Sequence, residues 1–488
     1  MADSDQNPAV DDIVRLVLKE LDDAKSGSPE QSDTGATTAV CEPDDSCCLF
    51  SSLDDAVESA RMAQRKFLDL SMERRGHIVE TIRGRALESA ERLGQLAVDE
   101  TGLGKMPDKK NKIILCARKT PGPEDLKPEA FSGDNGLTLV EPAPWGVVGS
   151  ITPSTNPPST VLNNAISIIS AGNAAVFNPH PSAKNVSGQM ARLVHDAIVE
   201  AGGPENLVTC ISQPTIESAQ ALWSHKHIDL VLVTGGGAVV KAAMVSGKRA
   251  ICAGPGNPPV VVDETAILPH AGQCIVTGAS FDNNVLCTDE KEIFVVDKVA
   301  HRLKREMIAN GAFELDGIAI DKLTNLLVER DPDGQGYRHV GINRNFVGKP
   351  PDEILKQIDV VPPPGTKLVF FEAPWDHPLV MAEQLMPVIP MVRCKTVEEA
   401  MEKAVIVEHQ YKHTFVMHST SIVNLSNMAQ LCRANIFVKN GFNMAGLGYG
   451  GEGFASMSIA GTTGEGITKA STFTRPRRCT LVDYFRIV

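Results

Sequence analysis

Apolar residues recur at Val10, Ile13, Val14, Val17, Leu18 and Leu21, while Asp11, Asp12, Arg15, Lys19, Glu20 and Asp22 fill the intervening positions. This spacing predicts a short amphipathic helix with a narrow apolar stripe. Asn7 and Pro8 supply an N-cap and a first-turn residue for it. Residues 26–38 are polar and rich in Gly, Ser and Thr, which predicts a flexible linker. A helix on such a tether packs either on its own globular body or in a partner's groove. Longer patterns begin near residue 49. Residues 53–71 and 72–102 are helical by period and rich in Ala, Arg, Glu and Leu. Residues 136–148 alternate apolar and polar, with Pro142 and Pro144 as punctuation, and predict an exposed strand or hairpin. Short β-branched runs follow at 146–151, 174–178, 208–211, 230–234 and 260–263, with helical patterns such as 187–201 and 237–245 between them. That alternation predicts a parallel sheet with helices on both faces. A second α/β pattern occupies residues 266–438, with strands expected at 292–296, 367–371, 388–393 and 414–418.

Composition narrows the classes of function. At 488 residues the chain is long enough for two or three domains. Its net charge of -13, with no basic stripe, argues against a nucleic-acid surface. The apolar stretch 165–177 is too short and too broken by Gly and Ser to span a bilayer, and no basic-then-apolar leader opens the chain. The eleven cysteines are scattered, without a C-x-x-C metal pair, which points to reduced thiols in a cytosolic compartment. Cys210, Cys252 and Cys274 sit in apolar stretches and are expected in the core. No metal site is expected.

Four segments carry chemistry. Residues 281–290, Phe-Asp-Asn-Asn-Val-Leu-Cys-Thr-Asp-Glu, place Cys287 between an apolar pair and an acidic run. Residues 152–158 read Thr-Pro-Ser-Thr-Asn-Pro-Pro, and residues 253–259 read Ala-Gly-Pro-Gly-Asn-Pro-Pro. A fourth, Leu230-Val-Leu-Val-Thr-Gly-Gly-Gly237, has the order strand, glycine turn, helix start. Such a turn lets backbone N–H groups approach a pyrophosphate, although it is not the full dinucleotide fingerprint. By themselves Cys287 could be a structural thiol, Asn156 a turn residue and the glycine turn only a tight turn.

Together these segments resemble the coenzyme-A-acylating branch of the aldehyde dehydrogenase superfamily. The resemblance extends through the glycine-dense run 446–466 and the Arg477-Arg478-Cys479 segment, and so covers residues 49–488. It implies an aldehyde dehydrogenase-like α/β fold, with two Rossmann-like parallel α/β domains plus a β oligomerisation arm. The implied division is an encapsulation-type helix at 1–25, a linker at 26–48, an NAD-binding domain at 49–263, a catalytic domain at 264–440, and a return at 441–488. Residues 134–148 would contribute to the arm and pair with the closing strand of a neighbour.

The resemblance also implies roles. Cys287 matches the nucleophile, and Asn156 the side-chain donor to the oxyanion, with the N–H of Cys287 as second donor. Thr152, Pro153, Asn178, His180, Pro181, Thr234, Gly235, Gly236 and Gly254 match the cofactor site, and Glu383 its contact to the nicotinamide ribose. Asn178 replaces the family's common lysine, so the resemblance implies NAD with NADP possible. Hydrolytic relatives carry a Glu-Leu-Gly-Gly-Lys motif whose glutamate activates water; here Ala253 stands in that place. Loss of a general base slows water attack by ~10²–10⁴-fold, whereas a thiol needs less help. Coenzyme A is therefore the implied acyl acceptor, with Asp289 or Glu290 left open as substitute bases. Phe454 and Ser456 are candidates to shape the aldehyde pocket.

The expected reaction takes a short-chain aldehyde, with propionaldehyde favoured over acetaldehyde or lactaldehyde, to acyl-coenzyme A through a cysteine thiohemiacetal and thioester. A hydrolytic aldehyde dehydrogenase and a non-catalytic microcompartment assembly protein are the alternatives. The tail layout resembles encapsulation peptides. It implies a microcompartment lumen inside a bacterial cytoplasm, with residues 1–25 contacting a shell or core protein, and a homodimer or homotetramer. No nucleic acid and no membrane are expected as partners.

Overall fold

A computed structural model of the chain describes residues 48–329 and 341–487. The helix expected over residues 10–21 and the linker up to residue 47 lie outside the described residues. The chain forms two compact units. Among the described residues, one gathers 48–93, 112–253 and 455–487; the other gathers 94–111, 254–329 and 341–454.

The first unit is built on a six-stranded parallel sheet. Its order is Leu49–Phe50, Val208–Ile211, Ala174–Pro179, Val147–Thr152, Leu230–Thr234, Ala250–Ala253. Every residue of the four strands from Val147–Thr152 to Leu230–Thr234 is buried, as expected of a sheet covered on both faces. The helix Pro157–Ser170 is also buried all round, its polar Ser, Thr and Asn residues included. The helices Leu53–Leu68 and Met72–Thr101 fall where their period places them.

The second unit is built on a seven-stranded parallel sheet. Its order is Ala312–Glu314, Leu368–Glu372, Val388–Cys394, Glu292–Val296, Pro259–Val262, Thr414–His418, Ile436–Lys439. The strand Pro259–Val262 was grouped by sequence with the first sheet. It lies instead near the centre of the second, between Glu292–Val296 and Thr414–His418. A run of four buried apolar residues carries no local mark of which sheet it joins.

A three-stranded antiparallel sheet belongs to the first unit, in the order Glu129–Gly133, Gly136–Pro144, Thr474–Val482. The closing strand pairs here with the hairpin of its own chain, over nine residues from Thr474 opposite Pro144 to Val482 opposite Gly136. Pairing with a neighbour's hairpin was expected. Opposite charges at Arg477 and Glu141, and a 2.9 Å hydroxyl contact between Thr138 and Thr480, favour this register within the chain. No described helix is long and apolar enough to cross a membrane.

Candidate active site

In the first unit the expected cofactor residues meet along one sheet edge. From the strand Val147–Thr152 the chain passes to Ala174–Pro179 and Val208–Ile211 on one side and then to Leu230–Thr234 and Ala250–Ala253 on the other, so the order reverses between Val147–Thr152 and Leu230–Thr234. Ligands of open parallel sheets settle at the carboxyl ends of strands beside such a reversal. Thr152 and Thr234 end those two strands, with Pro153 next in sequence. Asn178 and His180 lie at the end of the adjoining strand, where His180 N donates to Thr152 O at 3.0 Å, and Pro181 follows.

This edge fits a dinucleotide. The Thr152 hydroxyl is buried without a partner. A Cβ added at Gly235, Gly236 or Gly237 would meet nothing within 4 Å, so the turn is open. Gly236 caps the helix Gly237–Met244 without a side chain, leaving its first N–H groups available to an anion. Thr234 is held by a 2.6 Å hydroxyl bond with Ser458, and Asn178 Oδ1 accepts from Ser218 Oγ at 2.6 Å.

Asn156 also belongs to this unit. It precedes the helix Pro157–Ser170, and Pro157 and Pro158 fix the helix start. Its side chain does not cap that helix; the amide oxygen accepts from the ammonium of Lys112, whose side chain is fully buried. Lys112 was not singled out by sequence. Ser456, expected near an aldehyde pocket, is fully buried and bonded to Thr468 Oγ1 at 2.8 Å and Ser458 O at 3.1 Å, so it braces the polypeptide.

The second unit holds Cys287. Asp282, Asn283 and Asn284 take the left-handed conformation in succession, with φ of 47°, 53° and 64°. Short Asx side chains are the non-glycine residues that adopt it at least cost. Each is tied down. Asp282 forms a buried 3.0 Å ion pair with Lys109 and accepts from Lys105 N at 2.8 Å. Asn283 Nδ2 donates to Gly348 O at 2.8 Å, and Asn284 Nδ2 to Ala279 O and Glu290 O at 2.8 and 2.9 Å. Cys287 then sits in a turn closed from both sides, because Asp289 N donates to Leu286 O and Leu286 N donates to the Asp289 carboxylate, each at 3.1 Å.

Among the nine described cysteines, Cys287 is partly accessible. Cys210, Cys252 and Cys274 are buried, as expected. Burial pushes the Cys287 thiol up to about 12, the charges of Glu383 and Asp289 add to the rise, and Lys291 opposes it. Asp289 and Glu290 were open as bases for water. Both are fully buried and bonded to the backbone or to Asn443: Asp289 Oδ1 accepts from Asn443 Nδ2 at 2.6 Å, and Glu290 Oε1 from Asn443 N at 2.8 Å.

Glu383 accepts from Gly256 N at 3.3 Å, and burial raises its pKa to about 7. It is partly buried beside the cysteine turn rather than solvated. Gly256 lies against the same turn: a Cβ there would stand 2.6 Å from Cys287 O and 2.9 Å from the His413 ring. His413, also missed by sequence, is buried with Nε2 unpartnered, and burial lowers its pKa to about 4. Gly254 opens this second unit, directly after Ala253 closes the last strand of the first sheet. Among the described residues no group of three or more His, Cys, Asp or Glu could hold a metal ion.

The aldehyde dehydrogenase family model matches residues 47–312, more than half of the chain. An acetylating acetaldehyde dehydrogenase of Salmonella typhimurium is 47% identical, covering 98% of this chain and 99% of its own length. The chain belongs to the coenzyme-A-acylating aldehyde dehydrogenases. Solved members of the family share the fold. A propionaldehyde dehydrogenase from the fucose-utilisation microcompartment of Clostridium phytofermentans matches with a TM-score of 0.87 at 42% identity, over 91% of this chain and 100% of that one. The Rhodopseudomonas palustris propionaldehyde dehydrogenase, solved with bound coenzyme A and an acylated cysteine, matches with a TM-score of 0.86 at 44% identity, over 90% and 99%. The α/β class with two parallel sheets, expected from the sequence, is the one these solved structures share.

Proposed function

We propose that this enzyme converts an aldehyde of two or three carbons to its acyl-coenzyme A thioester, with Cys287 as the nucleophile. The observation that carries the reading is the turn at Cys287, which the adjacent Asp289 holds closed through its own N–H and its carboxylate, so that this carboxylate is not free to activate water. The sulfur of Cys287 adds to the aldehyde carbonyl and its proton passes to the carbonyl oxygen, giving a thiohemiacetal, with the amide of Asn156 and the N–H of Cys287 as the donors to that oxygen. NAD(P) supplies the acceptor for the hydride. The thioester left on Cys287 then meets a second thiol. The sulfur of coenzyme A attacks the thioester carbonyl, the bond to Cys287 breaks, and the proton of the incoming thiol is recovered on the Cys287 sulfur. Exchange of one thioester for another conserves the acyl energy.

Relatives bracket the acyl chain. The 47% identical relative is an acetaldehyde enzyme, and the solved structures at 42% and 44% are propionaldehyde enzymes. Acetaldehyde thus stands beside propionaldehyde, the aldehyde favoured by sequence. One methylene is worth ~1–3 kcal/mol in a pocket, so kcat/KM for the two aldehydes decides between them.

NAD is the favoured dinucleotide. Asn178, at the place of the family's common lysine, offers no cation to a 2′-phosphate. Assembly as a homodimer or homotetramer is supported by the exposed edge of Thr474–Val482. Packaging in a microcompartment lumen through residues 1–25 is supported by the origin of the Clostridium phytofermentans relative. Deleting residues 1–25 should abolish packaging and leave activity.

Following NADH formation with and without coenzyme A tests the central reading. Turnover should require coenzyme A, and turnover unaffected by omitting it would make the enzyme a hydrolytic one.

A further inference from the structure

Asp289, Glu290, Lys291 and Glu292 are four consecutive charged residues, and all four are fully buried. Charged side chains are rarely buried unless paired, so such a run needs an explanation. Lys291 supplies one. Its ammonium donates to Asn284 O at 3.1 Å, to Asn284 Oδ1 at 2.5 Å and to Leu286 O at 3.0 Å. These contacts use its three donors. Asn284 is the last of the three left-handed residues, and Leu286 is the residue before Cys287. The strand Glu292–Val296, which starts at the next residue, gives the ammonium a rigid base.

We propose that Lys291 is a positioning residue for the nucleophile: its ammonium locks the backbone of residues 284–286, and its charge offsets the carboxylates that surround the sulfur. The inference rests on Cys287 being the nucleophile.

The charged groups around Lys291 come from several elements. Asp289 and Glu290 belong to its own loop, Glu292 to the strand that follows, and Glu383 to the segment after the helix Pro378–Met381. His413, ahead of the strand Thr414–His418, also feels its charge. Lysine is the cation of this set, and it favours the ionised form of Cys287. Removing the charge while keeping the length exposes the sulfur to the carboxylates alone. Removing the donors releases two carbonyls and one left-handed residue next to the sulfur.

The test compares Lys291→Met, Lys291→Gln and Lys291→Arg with the unaltered enzyme, reading kcat, KM and the pH dependence of Cys287 alkylation by iodoacetamide. A nucleophile displaced by about an ångström loses on the order of 10²-fold in rate. The neutral variants should lose about that much in kcat with little change in KM for the aldehyde, and their alkylation midpoint should move to higher pH. A purely structural role would lower the melting temperature and leave the kcat of folded enzyme and the midpoint where they were; that result overturns the inference. Should neither neutral variant fold, Lys291→Arg decides. It keeps the charge but cannot place the same three donors, so kcat should fall with the midpoint held, and an unchanged kcat overturns the inference. Mapping the acyl label in the unaltered enzyme separates the two readings. Label on another cysteine defeats the assignment of Cys287. Label on Cys287 with unchanged kcat in the Lys291 variants defeats the role of Lys291 alone.

Discussion

The buried ammonium of Lys112 donates to the side-chain oxygen of Asn156. This contact decides which end of the amide is free. The oxygen is held by a cation, so the nitrogen is the end left to donate, and it also reaches Thr155 Oγ1 at 3.2 Å. Removing one oxyanion donor costs about 10²–10³-fold in kcat. Asn156→Ala should lose that much. Lys112→Met should lose a smaller factor, because the amide remains but is free to turn over. Pre-steady-state acylation of Cys287 measures both, and wild-type acylation in Asn156→Ala would remove the residue from the chemistry.

Lys109 and Asp282 form the buried ion pair beneath the left-handed run. Breaking such a pair from one side is costly, about 3–5 kcal/mol, because the remaining charge stays buried. Lys109→Met should therefore lower the denaturant midpoint strongly. Replacing a partly exposed pair such as Lys403–Glu399 should have little effect, since exposed pairs contribute about 0–1 kcal/mol. Equal shifts for the two would mean that the pair beneath the turn is not what holds it.

Ala253→Glu restores a carboxylate at the position where hydrolytic relatives carry their base. The ratio of free acid to acyl-coenzyme A should rise, by up to ~10²-fold if the new group reaches water. Product analysis at fixed coenzyme A measures it. An unchanged ratio would place the missing base elsewhere in the chain.

Glu290 links stability to pH. Its Oε2 is buried without a partner, and burial raises its pKa to about 8 from an ordinary value of 4.5. The folded state therefore holds this proton where the unfolded chain has lost it. The contribution is fully present below about pH 4.5 and is lost as pH rises towards 8. Melting temperature should fall over that window, and Glu290→Gln, which keeps the acceptor for Asn443 N, should flatten the fall by several degrees. A fall of the same size in both would assign the effect to other groups, such as Glu383 and Glu408, whose pKa values burial raises to about 7.

Much of this site was legible in the sequence, and the remainder was hidden for physical reasons. Cys287, Asn156 and the Thr234–Gly236 turn stand in short motifs whose residue types the chemistry demands. Lys291 stands in an acidic run, and Lys109 and Lys112 in the basic helix Met106–Lys119. Both stretches look like solvated surface, because local composition does not report burial. The ammonium groups of Lys109 and Lys112 are buried against a carboxylate and an amide oxygen supplied by distant segments, and that of Lys291 against carbonyls of its own loop. The strand Pro259–Val262 was visible as a strand, but its sheet is set by pairing with Glu292–Val296 and Thr414–His418, which lie far along the chain. His413 gave no signal, since one histidine among twelve is marked only by its surroundings.

Transfer of a labelled acyl group tests the mechanism most directly. The enzyme is charged with labelled aldehyde and NAD without coenzyme A, digested, and mapped; a second portion receives coenzyme A first. We expect the label on the peptide bearing Cys287, and its rapid passage to acyl-coenzyme A in the second portion. Label on a different cysteine, or release as free acid at a rate coenzyme A does not change, would contradict the account.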